Sequence, residues 1–167
     1  MGTHVSTDPI LAESLLVVLV MVIKLRVVLT FLCLFILVIS SSFAQTKTIE
    51  GITQVVDGDT LKIGKNRIRL HGIDAPEAKQ LCRNKTLSDW LCGKAATKAL
   101  RKKIDNRVVQ CFSEKKDRYK RYIAVCSIDG ENLNQWLVLN GWAVAYRKYS
   151  KDFIRAESIA KSRRTGI

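Results

Sequence analysis

Proline and glycine are scarce in this 167-residue chain, 2 and 9 in number, which excludes a collagen-like or low-complexity sequence. No internal repeat is visible, which speaks against a solenoid or array. Carboxylates are also few: 15 Asp and Glu stand against 28 Lys and Arg, a net charge of +13 that points to a polyanionic partner. No Cys-x-x-Cys pair is present to favour a structural zinc site, and no Asp-x-Asp-x-Asp-Gly calcium loop occurs. What is abundant is apolar: 47% of the residues are hydrophobic, enough for a packed domain.

The charge is unevenly spread. Residues 1–44 hold only Lys24, Arg26, Asp8 and Glu13, so residues 45–167 carry 26 cations against 13 anions. From Met21 the chain reads as a signal peptide: a cationic start at Lys24 and Arg26, an apolar run over 27–39, then Ser42-Phe43-Ala44, with cleavage expected after Ala44. The run is short of the roughly 20 residues a spanning helix needs, and the alternative is an uncleaved anchor. Residues 1–20 do not fit the pattern, and translation is expected to begin at Met21. A hairpin of two membrane segments would have to turn through Lys24-Leu25-Arg26 inside the bilayer, where charge is costly. The product is expected outside the cytoplasm, secreted or periplasmic, or membrane-anchored if uncleaved.

Beyond Gln45 the period becomes that of strands. Residues 49–56 and 60–63 flank the turn signal Asp57-Gly58-Asp59. Arg67-Ile68-Arg69-Leu70 alternates cation with aliphatic, as a half-buried strand does. A polar loop over 79–89 precedes a helix over 93–104. Strands are expected at 107–113 and 121–128, joined by the charged stretch 114–120, with helices at 133–139 and 152–162. Five strands with an inserted helix suit a small closed Greek-key barrel of the OB type, an α+β, mainly β fold with about three helices.

Four of the acids in 45–167 lie close together: Asp57, Asp59, Asp74 and Glu77. A turn at Asp57-Gly58-Asp59 beside the strand end at Asp74 can bring hard oxygen ligands together for a cation such as Ca²⁺. The plainer explanation is that Asp57 and Asp59 favour the turn.

Taken in order, Asp57-Gly58-Asp59-Thr60, Arg69-Leu70-His71-Gly72-Ile73-Asp74-Ala75-Pro76-Glu77 and Asp117-Arg118-Tyr119-Lys120-Arg121 resemble the staphylococcal (micrococcal) nuclease, or thermonuclease, family. The similarity extends over 49–167, including Asn134-Gln135-Trp136-Leu137-Val138 and Gly141-Trp142-Ala143. The resemblance implies an OB-fold barrel and a Ca²⁺-dependent endonuclease that hydrolyses DNA and RNA, single strands preferred, without base-sequence specificity and with 3′-phosphate products. It implies that Asp59, Asp74 and the Ala75 carbonyl bind calcium, that Glu77 acts on the attacking water, and that Arg69 and Arg121 hold the scissile phosphate. It implies no protein partner, and the chain is expected to be a monomer.

The chemistry accounts for these residue types. Phosphodiester hydrolysis adds negative charge to an anionic centre, so a divalent cation and two guanidiniums stabilise the transition state more than the ground state. Arginine stays charged and its planar fork bonds two phosphate oxygens. Taken singly, Arg69 reads as an outward strand cation and Arg121 as one more charge in a basic loop. An alternative function is a noncatalytic OB-type nucleic-acid-binding module; retention of Asp59, Arg69, Asp74, Glu77 and Arg121 together argues against it. The third motif departs from the family's Asp-Lys-Tyr-Gly-Arg: Lys120 stands where glycine permits a left-handed backbone, which puts the placement of Arg121 in question.

Lys115, Lys116 and Arg118 can steer a polyanion by charge, and Tyr146 and Tyr149, beside Arg147 and Lys148, can stack bases. The family has nucleotide-contacting tyrosines in this region at a different spacing. Trp136 and Trp142 are expected in the core, and neither His71 nor His4 is expected to be catalytic. Beyond the leader four cysteines remain. Cys111 and Cys126 fall in adjacent predicted strands, which favours their pairing and, by elimination, Cys82 with Cys92. Zinc binding and free buried thiols are the alternatives.

Overall fold

Hydrophobic periodicity sets the order of elements in the computed structural model, which describes residues 9–39, 46–84 and 86–167. The chain forms two units, Met1–Ala44 and Gln45–Ile167. The first contains helix α1 (Pro9–Ile39), which runs unbroken through Lys24-Leu25-Arg26. The hairpin alternative therefore has no turn where it needs one. His4 and the expected cleavage point, Ser42 to Ala44, lie outside the described residues.

The second unit runs β1 (Lys47–Val55), β2 (Thr60–Ile63), β3 (Asn66–Leu70), β4 (Ile73–Asp74), β5 (Cys82–Arg83), β6 (Asp89–Trp90), α2 (Cys92–Ile104), β7 (Val108–Lys116), β8 (Tyr122–Ile128), β9 (Glu131–Asn132), α3 (Leu133–Leu139), β10 (Val144–Ala145) and α4 (Ile154–Arg163). Strand β1 pairs antiparallel with β2 and β7, β2 with β3, and β7 with β8. A parallel pairing of β3 with β8, Ile68 opposite Tyr122 and Leu70 opposite Ala124, closes the five strands into a mixed barrel. Closure removes the free sheet edges. The expected α+β class, OB-type barrel and three helices of this unit are all present.

Ile49, Leu61, Ile68, Leu70, Val109 and Ala124 fill the barrel, and Leu100, Leu133, Leu137 and Val138 bring α2 and α3 onto it. Each large aliphatic residue so buried contributes roughly 1.5–3 kcal/mol. Buried Asn134 fastens α3: its Oδ1 accepts the Cys126 N–H at 3.0 Å and its Nδ2 donates to the His71 carbonyl at 2.9 Å. Trp136 and Trp142 pack against the core, as expected.

Two connections differ from expectation. Strand β7 continues to Lys116 instead of stopping at Ser113, because a bulge between Ser113 and Lys115 restores the register with β8. Residues 79–89 are not simply a loop. Together with Trp90 they supply the ribbon β5–β6, pairing Cys82 with Trp90, and beside it Cys82 is bridged to Cys92. The second bridge joins Cys111 and Cys126, which face each other across β7 and β8. Both expected pairings are present, which leaves neither zinc nor free thiols at these four positions.

Candidate active site

The Asp57-Gly58-Asp59 turn builds one wall. Asp57 Oδ1 accepts the Asp59 N–H at 3.0 Å, the local bond that makes aspartate a turn former. Gly58 allows a close approach: a Cβ there would lie 2.7 Å from the Ala75 Cβ. With the walls so close, Asp59 Oδ2 accepts the Ala75 N–H at 3.1 Å. Asp59 is only 2% exposed, and burial pushes its carboxyl up to about 7; Arg69 and the Ala75 N–H pull the other way, and Asp57 adds to the rise.

Strand β3 supplies the cation. Arg69 lies opposite Thr60 in the register of β2 and β3, and its guanidinium bridges two carboxylates, Nη1 to Asp59 Oδ1 and Nη2 to Asp74 Oδ1, each at 2.7 Å. Asp74 ends β4 and is paired with Val144 of β10. The geometry thus gathers Asp59, Arg69, Asp74 and Ala75. Glu77 follows two residues after Ala75 with its side chain exposed.

Arg121 has a different partner. Asp117 Oδ2 accepts its Nε and Nη2 at 2.8 Å each, while Asp117 Oδ1 accepts the backbone N–H groups of Tyr119 and Arg121 at 2.9 Å. Burial opposes ionisation of Asp117, but these donors outweigh it and hold the carboxyl below its usual value. Lys120 adopts the left-handed conformation with φ 63°, so the turn that glycine would favour forms with lysine. Among the described residues no ion pair or hydrogen bond joins Arg121 or Glu77 to the Asp59–Arg69–Asp74 cluster.

The outlying candidates are exposed. The Arg118 and Arg121 guanidiniums lie 4.9 and 5.4 Å from the centre of the Tyr119 ring, and Lys116 Nζ lies 4.2 Å from that of Tyr122. Lys115 is exposed on the bulged end of β7. Tyr146 and Tyr149 meet edge to face, centroids 4.8 Å apart. A separate cavity of about 620 Å³, bordered by Trp90, Val144 and Glu157, includes none of the predicted catalytic, metal-binding or nucleic-acid-contacting residues, although bridged Cys82 lies on its rim.

The profile of the family described as Staphylococcal nuclease homologue matches residues 67–167. This chain belongs to that family. Its OB-type barrel with β3 and β8 parallel is the scaffold of a nuclease domain, and the family's substrate is nucleic acid. The chain is similar to the succinoglycan biosynthesis protein ExoI of Rhizobium meliloti, 34% identical over 134 residues, which is 78% of this chain and 70% of that protein. It is similar to an uncharacterized endonuclease of Haemophilus influenzae, 31% identical over 85% of this chain and 78% of the relative. A probable staphylococcal-like nuclease of Oryza sativa, CAN1, is 30% identical over 66% of this chain and 31% of its own length.

Sequence reasoning missed three residues that support this site. Asp117 is visible in the sequence only as part of a motif. Glu157 is buried beneath β10, where it accepts the Ala145 N–H at 3.3 Å and pairs with Arg147 and Lys161; its place in a helical pattern carries no sign of that. Gly93, in the first turn of α2, lies against the Glu77 backbone, and only the position of a glycine inside a predicted helix start hints at it.

Proposed function

We propose that this protein is an exported, Ca²⁺-dependent phosphodiesterase that cleaves DNA and RNA, single strands preferentially, and leaves 3′-phosphate ends. The observation that carries the proposal is the convergence of Asp59 and Asp74 on the fork of Arg69. Such a cluster serves a reaction in which both a cation and a guanidinium must reach one anionic centre.

The donors fit calcium. Asp59, Asp74 and the Ala75 carbonyl offer hard oxygens only, which suits Ca²⁺ over softer metals. Among the described residues no cluster of three or more His, Cys, Asp or Glu side chains forms a cage; Asp59, Asp74 and the Ala75 carbonyl are the groups that would hold the ion. When bound, the ion supplies charge stabilisation to the phosphate oxygens.

Arg69 exchanges its aspartates for phosphate oxygens as the substrate arrives, and Arg121, oriented by Asp117, engages the same phosphate. Both bind more strongly as charge develops. Glu77 aligns a water, or accepts its proton, for in-line displacement of the 5′-oxygen. The leader-like N-terminus supports export, and two disulfides suit an oxidising compartment.

Digestion of single-stranded DNA with Ca²⁺ and with chelator tests the reading. Calcium-dependent cleavage to 3′-phosphate ends is expected. Salt-sensitive binding without cleavage under any metal would instead identify a nucleic-acid-binding module.

A further inference from the structure

Among the described residues the Glu77 carboxylate makes no hydrogen bond or ion pair, so its aim depends on where its backbone is held. That backbone rests on the first turn of α2. A Cβ at Gly93 would lie 1.7 Å from the Glu77 carbonyl oxygen, 2.5 Å from its carbonyl carbon and 3.0 Å from the Pro76 oxygen. No side chain fits there, and only glycine lets the helix pass this close beneath Pro76 and Glu77.

The chain then closes on itself. Gln80 donates its N–H to the Glu77 carbonyl at 2.7 Å, and its Oε1 accepts the Glu77 N–H at 3.2 Å. Two residues on, Cys82 is bridged to Cys92, the residue before Gly93, fully buried in the same helical turn. The segment that leaves Glu77 is therefore stapled back to the helix on which Glu77 lies.

We propose that Gly93 and the Cys82–Cys92 bridge are positioning elements for Glu77, and that the bridge makes cleavage sensitive to thiol reductants. This rests on the role given to Glu77 above. The two bridges differ in access: Cys82 is half-buried on a surface ribbon, whereas Cys111 and Cys126 are both 0% exposed. A dithiol reduces the accessible bridge in two steps. One thiolate attacks Cys82 Sγ and expels the Cys92 thiolate, which takes a proton. The second thiolate then attacks the mixed disulfide and releases Cys82 as thiolate, protonated in turn, while the reagent becomes a cyclic disulfide. Once the staple is open, the segment between Gln80 and Cys92 gains freedom and the Glu77 turn loosens. Arg69 and Arg121 are held elsewhere, so substrate binding is spared.

The test uses the full chain, either treated with dithiothreitol or carrying Cys82→Ser with Cys92→Ser. Four quantities are read: kcat and KM on single-stranded DNA, amide hydrogen exchange at Gln80, and alkylation of the cysteines. In the dithiothreitol-treated wild-type chain, alkylation beyond that of the exposed free Cys33 is expected at Cys82 and Cys92 but not at Cys111 or Cys126. Expected are a kcat about tenfold lower with KM little changed, and Gln80 exchange about tenfold faster. In a Glu77→Gln background, opening the bridge should leave the residual kcat unchanged within about twofold, because the group being aimed is gone. Unchanged Gln80 exchange, or an equal loss of kcat in both backgrounds, would overturn the proposal. If the oxidised protein cleaves nothing while Gln80 exchange still accelerates on reduction, the positioning stands and the nuclease assignment of the site falls.

Discussion

Asp117 grips Arg121 at both ends, taking its backbone N–H at 2.9 Å with one carboxylate oxygen and Nε and Nη2 at 2.8 Å with the other. One residue therefore fixes both the turn and the direction of the guanidinium. Asp117→Ala should release the side chain while the barrel stays folded, lowering kcat by about 10²-fold through misplacement alone. Asp117→Asn, which keeps one acceptor, should recover part of the loss. Steady-state kinetics beside thermal unfolding check this, and full activity in Asp117→Ala would show that Arg121 needs no such orientation.

Lys120 sits at φ 63° in the same turn. A left-handed backbone costs a non-glycine residue about 1–2 kcal/mol, partly offset by the extra freedom glycine has when unfolded. Lys120→Gly should therefore raise stability by roughly 0.5–1 kcal/mol, read as a higher Tm by calorimetry. A lower Tm would mean that the Lys120 side chain stabilises the turn by more than its backbone costs.

The barrel strands are legible in the sequence because each rests on a local signal, whereas the Asp59–Arg69–Asp74 set is legible only through the resemblance of the ordered motifs, each residue alone reading as a turn former or a strand cation. Arg67-Ile68-Arg69-Leu70 alternates, and Ile68 and Leu70 duly face inward; Asp57-Gly58-Asp59 is a turn whose bond is made by its own first residue. What is not legible depends on approaches between distant segments. Nothing in residues 92–94 says that a helix start must slide beneath Glu77, and nothing in α4 says that Glu157 will hold β10. The bulge that carries β7 to Lys116 is likewise set by the pairing with β8, not by the charged residues themselves.

Glu157 offers a pH test. Burial opposes its ionisation, but Arg147 and Lys161 outweigh it and keep the carboxyl below its ordinary 4.5. Because the folded value is the lower one, the unfolded chain binds more protons as pH falls. The stabilisation is present above the unfolded value and lost as pH drops through the folded one. Glu157→Gln should cost roughly 1–3 kcal/mol at neutral pH, with the two melting temperatures converging as the solution is acidified. A gap independent of pH would assign the effect to packing instead.

Lys115, Lys116 and Arg118 should act through charge alone. Replacing all three with glutamine should weaken single-stranded DNA binding regardless of base sequence and flatten the plot of log K against log salt by about 0.7 for each phosphate no longer neutralised. Fluorescence anisotropy across a salt series measures it. An unchanged slope would place the strand elsewhere.

The role of Glu77 is tested most directly by single-turnover cleavage of single-stranded DNA by Glu77→Gln in saturating Ca²⁺, with binding measured in parallel. A rate lower by about 10²–10⁴-fold at unchanged affinity is expected, because Glu77 acts on the water and Arg69 and Arg121 on the phosphate. Cleavage at the wild-type rate would contradict it.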